Sequence, residues 1–429
     1  MTRPRVVIIG GGFGGLSAAR ALAGAPVDVL LIDRTNHHLF QPLLYQVATT
    51  ALAPSDITAP IRWILRRQRN VTTLLGTVDR IDRTTRKLHV LGEGESITYD
   101  YLIVASGARH AYFGHPEWEE WAPGLKNIED ARRIRKRFLL AFERAEWEED
   151  PALRDALLTF VIVGGGPTGV ELAGVLPEMW RGALRPDFRR ISGARVRVVL
   201  LEGGPRILPA MPPLLSARAQ RDLEKLGVEV RINTTVTSID VEGVSVGAER
   251  IRAESVFWAA GNAASPLGRT LGVPLDRAGR VVAEPDLTLP GDPRVFVVGD
   301  LAAVKRKNGE PVPAVAPAAN QMGTHAANNI RAMLAGKPTG PFRYVNKGDL
   351  ATIGRHKAIA SFFDGKLRIA GYPAWYFWLL LHIMYLVGFR NRLSVLLQWG
   401  YNYIFFERGV RLITETEDAE LSRRRTPTR

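Results

Sequence analysis

The chain has no cysteine. That excludes disulfides, thiolate metal sites, iron–sulfur clusters and a redox-active thiol pair. Histidine is scarce, eight in 429 residues with no H-E-x-x-H, so no catalytic metal is expected. A secretory signal is also missing: the first apolar residues run straight into glycines, which reads as a cytoplasmic chain. Acidic residues are in deficit, 43 against 57 Lys and Arg, for a net charge of +14. A basic chain favours an anionic partner. No nucleic-acid motif is present, so nucleic acid is not expected and an anionic membrane surface is.

What is present begins at Arg5–Gly15, RVVIIGGGFGG. Four apolar residues read as a strand buried on both faces. Gly10, Gly12 and Gly15 form G-x-G-x-x-G, followed by a helical pattern. The first glycine permits a tight turn, the second lets a pyrophosphate approach, and the third lets helix and strand pack closely. The phosphate then meets the helix N-terminus, where free N–H groups and the helix dipole favour an anion. A second strand, Val27–Ile32, ends in Asp33, placed to accept the hydroxyls of a ribose.

The pattern recurs. Phe160–Val163 leads to Gly164, Gly166 and Gly169, and a further strand ends in Glu202. Glu202 lies 33 residues beyond Gly169, so Arg181–Ala194 reads as an insertion between helix and strand. An acid at this strand end would repel a 2′-phosphate, which favours NADH over NADPH, with Arg206 as the one nearby cation. Two more strand ends carry chemistry. Tyr101–Ala105 stops at Ser106-Gly107, where a flat ring can approach the backbone. Arg294–Val298 stops at Gly299-Asp300, where a carboxylate can meet a cofactor hydroxyl.

Between these motifs, residues 36–65 are too apolar and too interrupted by Pro for a solvent loop, and His37 and His38 read as polar residues at a strand exit. Residues 128–149 predict a solvated surface helix.

Two fingerprints imply two dinucleotides. The simplest pairing is tightly bound FAD on the first and NADH as substrate on the second, with hydride passing to the flavin. Without cysteine the electrons must go on to oxygen, a soluble acceptor or a membrane quinone. The C-terminus bears on this choice. Residues 372–406 hold 12 of the 35 aromatic residues, in two apolar runs, Trp375–Phe389 and Leu393–Phe406, separated by Arg390-Asn391-Arg392. As helices each run spans roughly 22 Å, short of the ~30 Å hydrocarbon core. They fit amphipathic helices lying in a membrane interface, with Arg408, Arg411 and Arg423–Arg425 on an anionic leaflet. A dimer interface or buried core helix pair, and a membrane-spanning hairpin, are the other readings of the same residues.

These residues resemble the type II NADH dehydrogenases, the single-subunit, non-proton-pumping NADH:quinone oxidoreductases. The resemblance runs from residue 5 to about residue 410 and rests on VVIIGGGFGGL, HHLFQPLLYQVAT, YDYLIVASGA, FVIVGGGPTGVELAG, FWAAG, VFVVGDLA, NQMG and LATIGRHKA. It implies an α/β fold of two Rossmann-like domains, one for FAD and one for NADH, plus the C-terminal membrane-binding segment. Residues 1–118 and 265–340 would form the FAD domain, 119–264 the inserted NADH domain, and 341–429 the C-terminal domain, with interfacial helices at about 372–410. FAD would lie on Gly10, Gly12, Gly15, Asp33, Gly107 and Asp300, and NADH on Gly164, Gly166, Gly169 and Glu202. Glu171 matches the family carboxylate near nicotinamide and flavin; it and Gln321 are the residues expected to be catalytic, Glu171 by orienting groups or relaying protons at quinone reduction.

The family's quinone helix begins A-Q-x-A-x-Q. Here it reads Ala316-Pro317-Ala318-Ala319-Asn320-Gln321, so Gln321 is kept and Pro317 removes a side-chain hydrogen bonder. Ser106 stands where the family turn has Thr. The resemblance implies a peripheral enzyme on the cytoplasmic face of the cell membrane, and by analogy a homodimer. A sulfide:quinone oxidoreductase needs cysteine and is excluded. A soluble FAD-dependent NADH oxidase or diaphorase, with the C-terminus as a dimer interface, stays open at this point, as does a non-catalytic flavoprotein.

Overall fold

The computed structural model describes residues 3–92, 94, 96–405 and 410–413. The chain divides into two units. The first comprises residues 1–39, 58–111 and 262–347, and the second residues 40–57, 112–261 and 348–429.

The first unit is built on a six-stranded sheet. Its order is Thr288–Leu289, Asp292–Val297, Tyr101–Val104, Arg5–Ile9, Asp28–Asp33, Val71–Leu75. The five longer strands are parallel, and only the short edge strand runs antiparallel. Val6, Val7 and Ile8 are fully buried, as a strand covered on both faces requires. The register aligns Ile9 with Ile32 and Val104, and Val104 with Val297. Gly10, Asp33, Ala105 and Val298 are therefore the first residues past one common edge.

Two helices of this unit cross with almost no space between them. Phe13–Ala21 packs on Ala316–Leu334, and a Cβ at Gly323 would lie 1.9 Å from the Gly14 carbonyl oxygen. Only glycine permits that approach. Ser17 Oγ also donates to Asn320 Oδ1 at 2.9 Å.

The second unit repeats the plan in smaller form. A four-stranded parallel sheet runs in the order Val228–Arg231, Arg197–Leu201, Thr159–Val163, Ser255–Trp258. Every residue of Thr159–Val163 is buried. Val163 aligns with Leu201 and Trp258, so Gly164, Glu202 and Ala259 leave one edge together. The expected insertion, residues 181–194, begins as the π-helical run Trp180–Leu184 and the 3-10 turn Arg185–Asp187, and the two flanking strands still pair side by side. The helix Ile128–Trp147 is not the fully solvated one expected. Phe138 and Phe142 on one face are buried against Phe160, because aromatic residues recur there at helical spacing among the charges.

The same unit carries the C-terminal sheet, Asp349–Ile353, Lys357–Phe362 and Leu367–Gly371, all antiparallel. Two helices follow, Tyr372–Tyr385 and Phe389–Phe405. The break between them falls at Leu386–Gly388, not at Arg390–Arg392 as the charges suggested. Leu386 is extended and Gly388 takes φ +91°, which ends the first helix, whereas Arg390 and Arg392 lie inside the second. Residues 40–57, expected within the first dinucleotide segment, also pack in this unit. Gln46 and Asp56 bond there to Trp399 and Ser394 of the last helix.

Candidate active site

The first fingerprint forms a loop whose glycines are required by space. Gly10 has φ +102°, and a Cβ there would sit 2.4 Å from the Ala105 carbonyl oxygen. A Cβ on Gly15 would sit 1.8 Å from Gly10 O. Gly12, by contrast, has open space beside it and begins the helix with no side-chain cap. The first N–H groups of that helix are thus left for an anion. Asp33 closes the other side: Oδ2 accepts the Gly11 N–H at 2.5 Å, and Oδ1 accepts the Thr35 N–H and hydroxyl, each at 2.7 Å.

His38 braces this loop from below. It is buried, its Nδ1 lies 3.0 Å from Gly11 O, and Phe13 packs edge-on at 5.0 Å. Burial pushes its imidazole below the ordinary range. The expected bland role at a strand exit is therefore only half right, since the ring fixes the carbonyl of the central glycine.

Gly107, at φ +67°, and Asp300, in the turn Gly299–Leu301, follow the two neighbouring strands at the same edge. Ser106 Oγ is buried there with no hydrogen-bond partner among the described residues. Such a hydroxyl is costly unless a bound group meets it.

The second fingerprint repeats the geometry. Gly164 takes φ +109°, with a Cβ 2.6 Å from Ala260 N, and a Cβ on Gly169 would sit 1.9 Å from Gly164 O. Gly166 is open and starts Pro167–Met179 without a side-chain cap. Glu202 Oε2 accepts the Gly165 N–H at 2.6 Å, and Oε1 accepts the Gly204 N–H at 2.7 Å. Arg206 does not adjoin the acid: its Nη2 donates to Pro209 O at 2.8 Å.

Glu171 lies one turn into the second fingerprint helix and is buried. Burial pushes its carboxyl up to about 8, and only the Thr352 backbone N–H pulls the other way. It reaches Thr352 because helix and strand touch at glycines: a Cβ on Gly174 would lie 2.5 Å from Gly354 N. A group poised near neutrality can hold or release a proton at physiological pH. Thr352 was not singled out from sequence as a site residue, although it lies in the motif LATIGRHKA.

The helix Ala316–Leu334 starts with Pro317 in its first turn, where the missing N–H costs nothing. Gln321 is tied at both ends of its amide: Nε2 donates to Val345 O at 3.0 Å and Oε1 accepts Val345 N–H at 2.9 Å. This side chain clamps the backbone at 345. Ala316 and Pro317 stay partly exposed beside it.

The C-terminal helices turn an apolar face outward. Tyr372, Tyr376, Phe377, Leu380, Met384, Phe389, Leu393 and Leu397 are exposed, while Ala374, Trp378 and Val395 face inward. Among the described residues no helix is long and apolar enough to cross a membrane. Arg411 is engaged within its own unit, donating to Ala183 O at 2.9 Å and pairing with Asp187. Arg408 and Arg423–Arg425 lie outside the described residues. No cluster of metal-ligating side chains occurs among the described residues.

Residues 4–323 match the model of the pyridine nucleotide-disulphide oxidoreductase family, and residues 346–408 match that of the NDH2 C-terminal domain. Type II NADH:quinone oxidoreductase NdhA of Mycobacterium tuberculosis is 49% identical, covering 96% of this chain and 90% of its own. Type II NADH:quinone oxidoreductase Ndh of the same organism is 46% identical, with 97% and 91% covered. The solved structure of NDH2 from Plasmodium falciparum in complex with NADH shares the fold at a TM-score of 0.88 and 19% identity, over 96% of this chain and all of that one. A chain with two dinucleotide loops, no cysteine and this C-terminal domain therefore belongs to the pyridine nucleotide-disulphide oxidoreductases and, within them, to the type II NADH:quinone oxidoreductases.

Proposed function

We infer that this chain oxidises NADH and reduces a quinone through FAD, without pumping protons. The observation that carries the reading is the pair of open, uncapped helix N-termini, each closed by an acid on the middle glycine of its loop. The residues of the first unit fit FAD: the open Gly12 cradle takes a pyrophosphate, Asp33 a ribose, and the unpartnered Ser106 hydroxyl an edge of the bound group. When bound, FAD supplies the two-electron carrier that links nicotinamide to quinone. Gly107 and Asp300 stand at the same sheet edge and complete that site.

In the second unit Gly164, Gly166 and Gly169 receive the pyrophosphate of NADH. Glu202 accepts the ribose hydroxyls and disfavours a 2′-phosphate. Hydride transfer needs orientation and no base. Quinone reduction does need protons. Glu171, protonated near neutrality, is the residue we assign to holding one.

The quinone is proposed to meet the start of the Ala316–Leu334 helix. Ala316 and Pro317 offer an apolar surface there. Gln321 holds the 345 backbone in place and is thereby a positioning residue. The exposed aromatic face of residues 372–405 supports seating on an anionic membrane surface, at the cytoplasmic face of the cell membrane. Flotation with anionic liposomes tests this. Failure to float, with a dimer in solution, would make the face a subunit interface instead.

The central test is anaerobic. Purified holoenzyme is mixed with NADH, flavin bleaching is followed, and a short-chain quinone is added. Bleaching and rapid recovery are expected. Bleaching without recovery would overturn the quinone half and point to oxygen or another acceptor.

A further inference from the structure

The second unit contains a cavity of about 120 Å³ whose wall includes Tyr45, Gln46, Glu178, Thr352, Arg355 and Trp399. That is room for several waters, and the wall is polar enough to hold them. Partly exposed Ala51, Ala183 and Asn402 form other parts of the wall, so the space communicates with solvent.

Thr352 lines the cavity from a strand that packs on the helix of Glu171, and Val175 and Glu178, one and two turns on from Glu171, line it too. Thr352 Oγ1 lies 3.1 Å from Tyr45 Oη. Gln46 Nε2 donates to the same Tyr45 oxygen at 3.1 Å, and Trp399 Nε1 donates to Gln46 Oε1 at 2.7 Å. The direction of the two bonds from Trp399 to Tyr45 is determined. An indole N–H can only donate, so it sets which end of the Gln46 amide is the oxygen. The amide nitrogen must then donate to Tyr45. The Tyr45 hydroxyl keeps its own hydrogen and a second lone pair, so it can exchange a hydrogen with Thr352 Oγ1 in either direction.

The redox balance calls for such a path. NADH, one solvent proton and a quinone become NAD⁺ and a quinol, so each turnover draws one proton from outside. We propose that the water-accessible cavity delivers this proton to Glu171, with the Tyr45 and Thr352 hydroxyls ordering its water at that end and Gln46 and Trp399 as positioning residues that hold the Tyr45 hydroxyl. The proposal rests on Glu171 as proton holder. The titratable and charged groups on the cavity wall are Tyr45 from the Leu44–Ala48 helix, Glu178 from the helix of Glu171 itself, two turns on, and Arg355 after Asp349–Ile353.

The test separates the half-reactions of the FAD-loaded enzyme by stopped flow, in water and in deuterium oxide. Tyr45→Phe and Thr352→Val are expected to leave bleaching by NADH unchanged. Reoxidation by a short-chain quinone should slow by on the order of tenfold, with a larger solvent isotope effect. Ala183→Leu fills the cavity from its wall, leaves both hydroxyls in place, and should give the same selective loss; it decides the matter where the other variants fold poorly. Glu171→Gln is run beside them. If it slows reoxidation and the three cavity variants do not, the route is wrong and Glu171 stands. If Glu171→Gln itself leaves reoxidation unchanged, the reading of Glu171 falls and the route with it.

Discussion

Glu202 holds the N–H of Gly165 at 2.6 Å, so the residue proposed to read the ribose also fixes the loop proposed to receive the phosphates. Specificity and loop shape are thereby coupled. Glu202→Ala is expected to raise KM for NADH and to relieve the repulsion of a 2′-phosphate. The ratio of kcat/KM for NADH over NADPH should fall by roughly ten- to a hundredfold. An unchanged ratio in steady-state assays would remove Glu202 from cofactor selection.

Glu171 has a cost in stability with a definite sign. Its carboxyl is pushed from 4.5 up to about 8 in the folded chain. Between those values the folded state holds a proton that the unfolded state lacks, so its contribution falls as pH rises. Glu171→Gln mimics the protonated acid. Its thermal midpoint should match the parent enzyme near pH 5 and exceed it near pH 8. Parallel melting curves at both pH values would show that the group is not buried as described.

Gly323 keeps two helices of the first unit in backbone contact. Gly323→Ala puts a methyl 1.9 Å from Gly14 O, with no flexible side chain to yield. The helices must separate, at a cost of about 3 kcal/mol. Because Gly14 lies inside the first fingerprint, purified variant should retain less flavin per chain. Full flavin content and an unshifted melting temperature would refute this.

Asp222 is buried between two cations, with Arg218 Nε at 2.8 Å and Lys357 Nζ at 2.9 Å. Burial pushes its carboxyl up, but the hydrogen bonds from Lys357 and Arg218 outweigh that and hold it below the usual carboxylate range. A depressed acid contributes stability above its unfolded value, near 3.9, and loses it as pH falls through the lower folded one. Asp222→Asn should therefore cost about 2–3 kcal/mol at pH 7. The gap should close in acid. Denaturant midpoints at pH 7 and pH 3 measure it.

The two dinucleotide loops, the acids that close them and the aromatic C-terminus are legible in the order of the amino acids alone. Each is local: strand, turn and helix are written in about 30 consecutive residues, and a strand end places its acid whatever lies elsewhere. Other features came only with the tertiary structure. Tyr45 and Thr352 are 307 positions apart. Their meeting depends on where Leu44–Ala48 and the C-terminal sheet pack, which no spacing encodes. Likewise the raised carboxyl of Glu171 comes from burial, against the pull of one distant backbone N–H, and the contact of Gly14 with Gly323 from two helices crossing. The helix break at Leu386–Gly388 was decided by backbone conformation, where hydropathy and charge had pointed to the arginines. Local chemistry repeats along the chain and can be read there, whereas burial and long-range hydrogen bonding are properties of the packed whole.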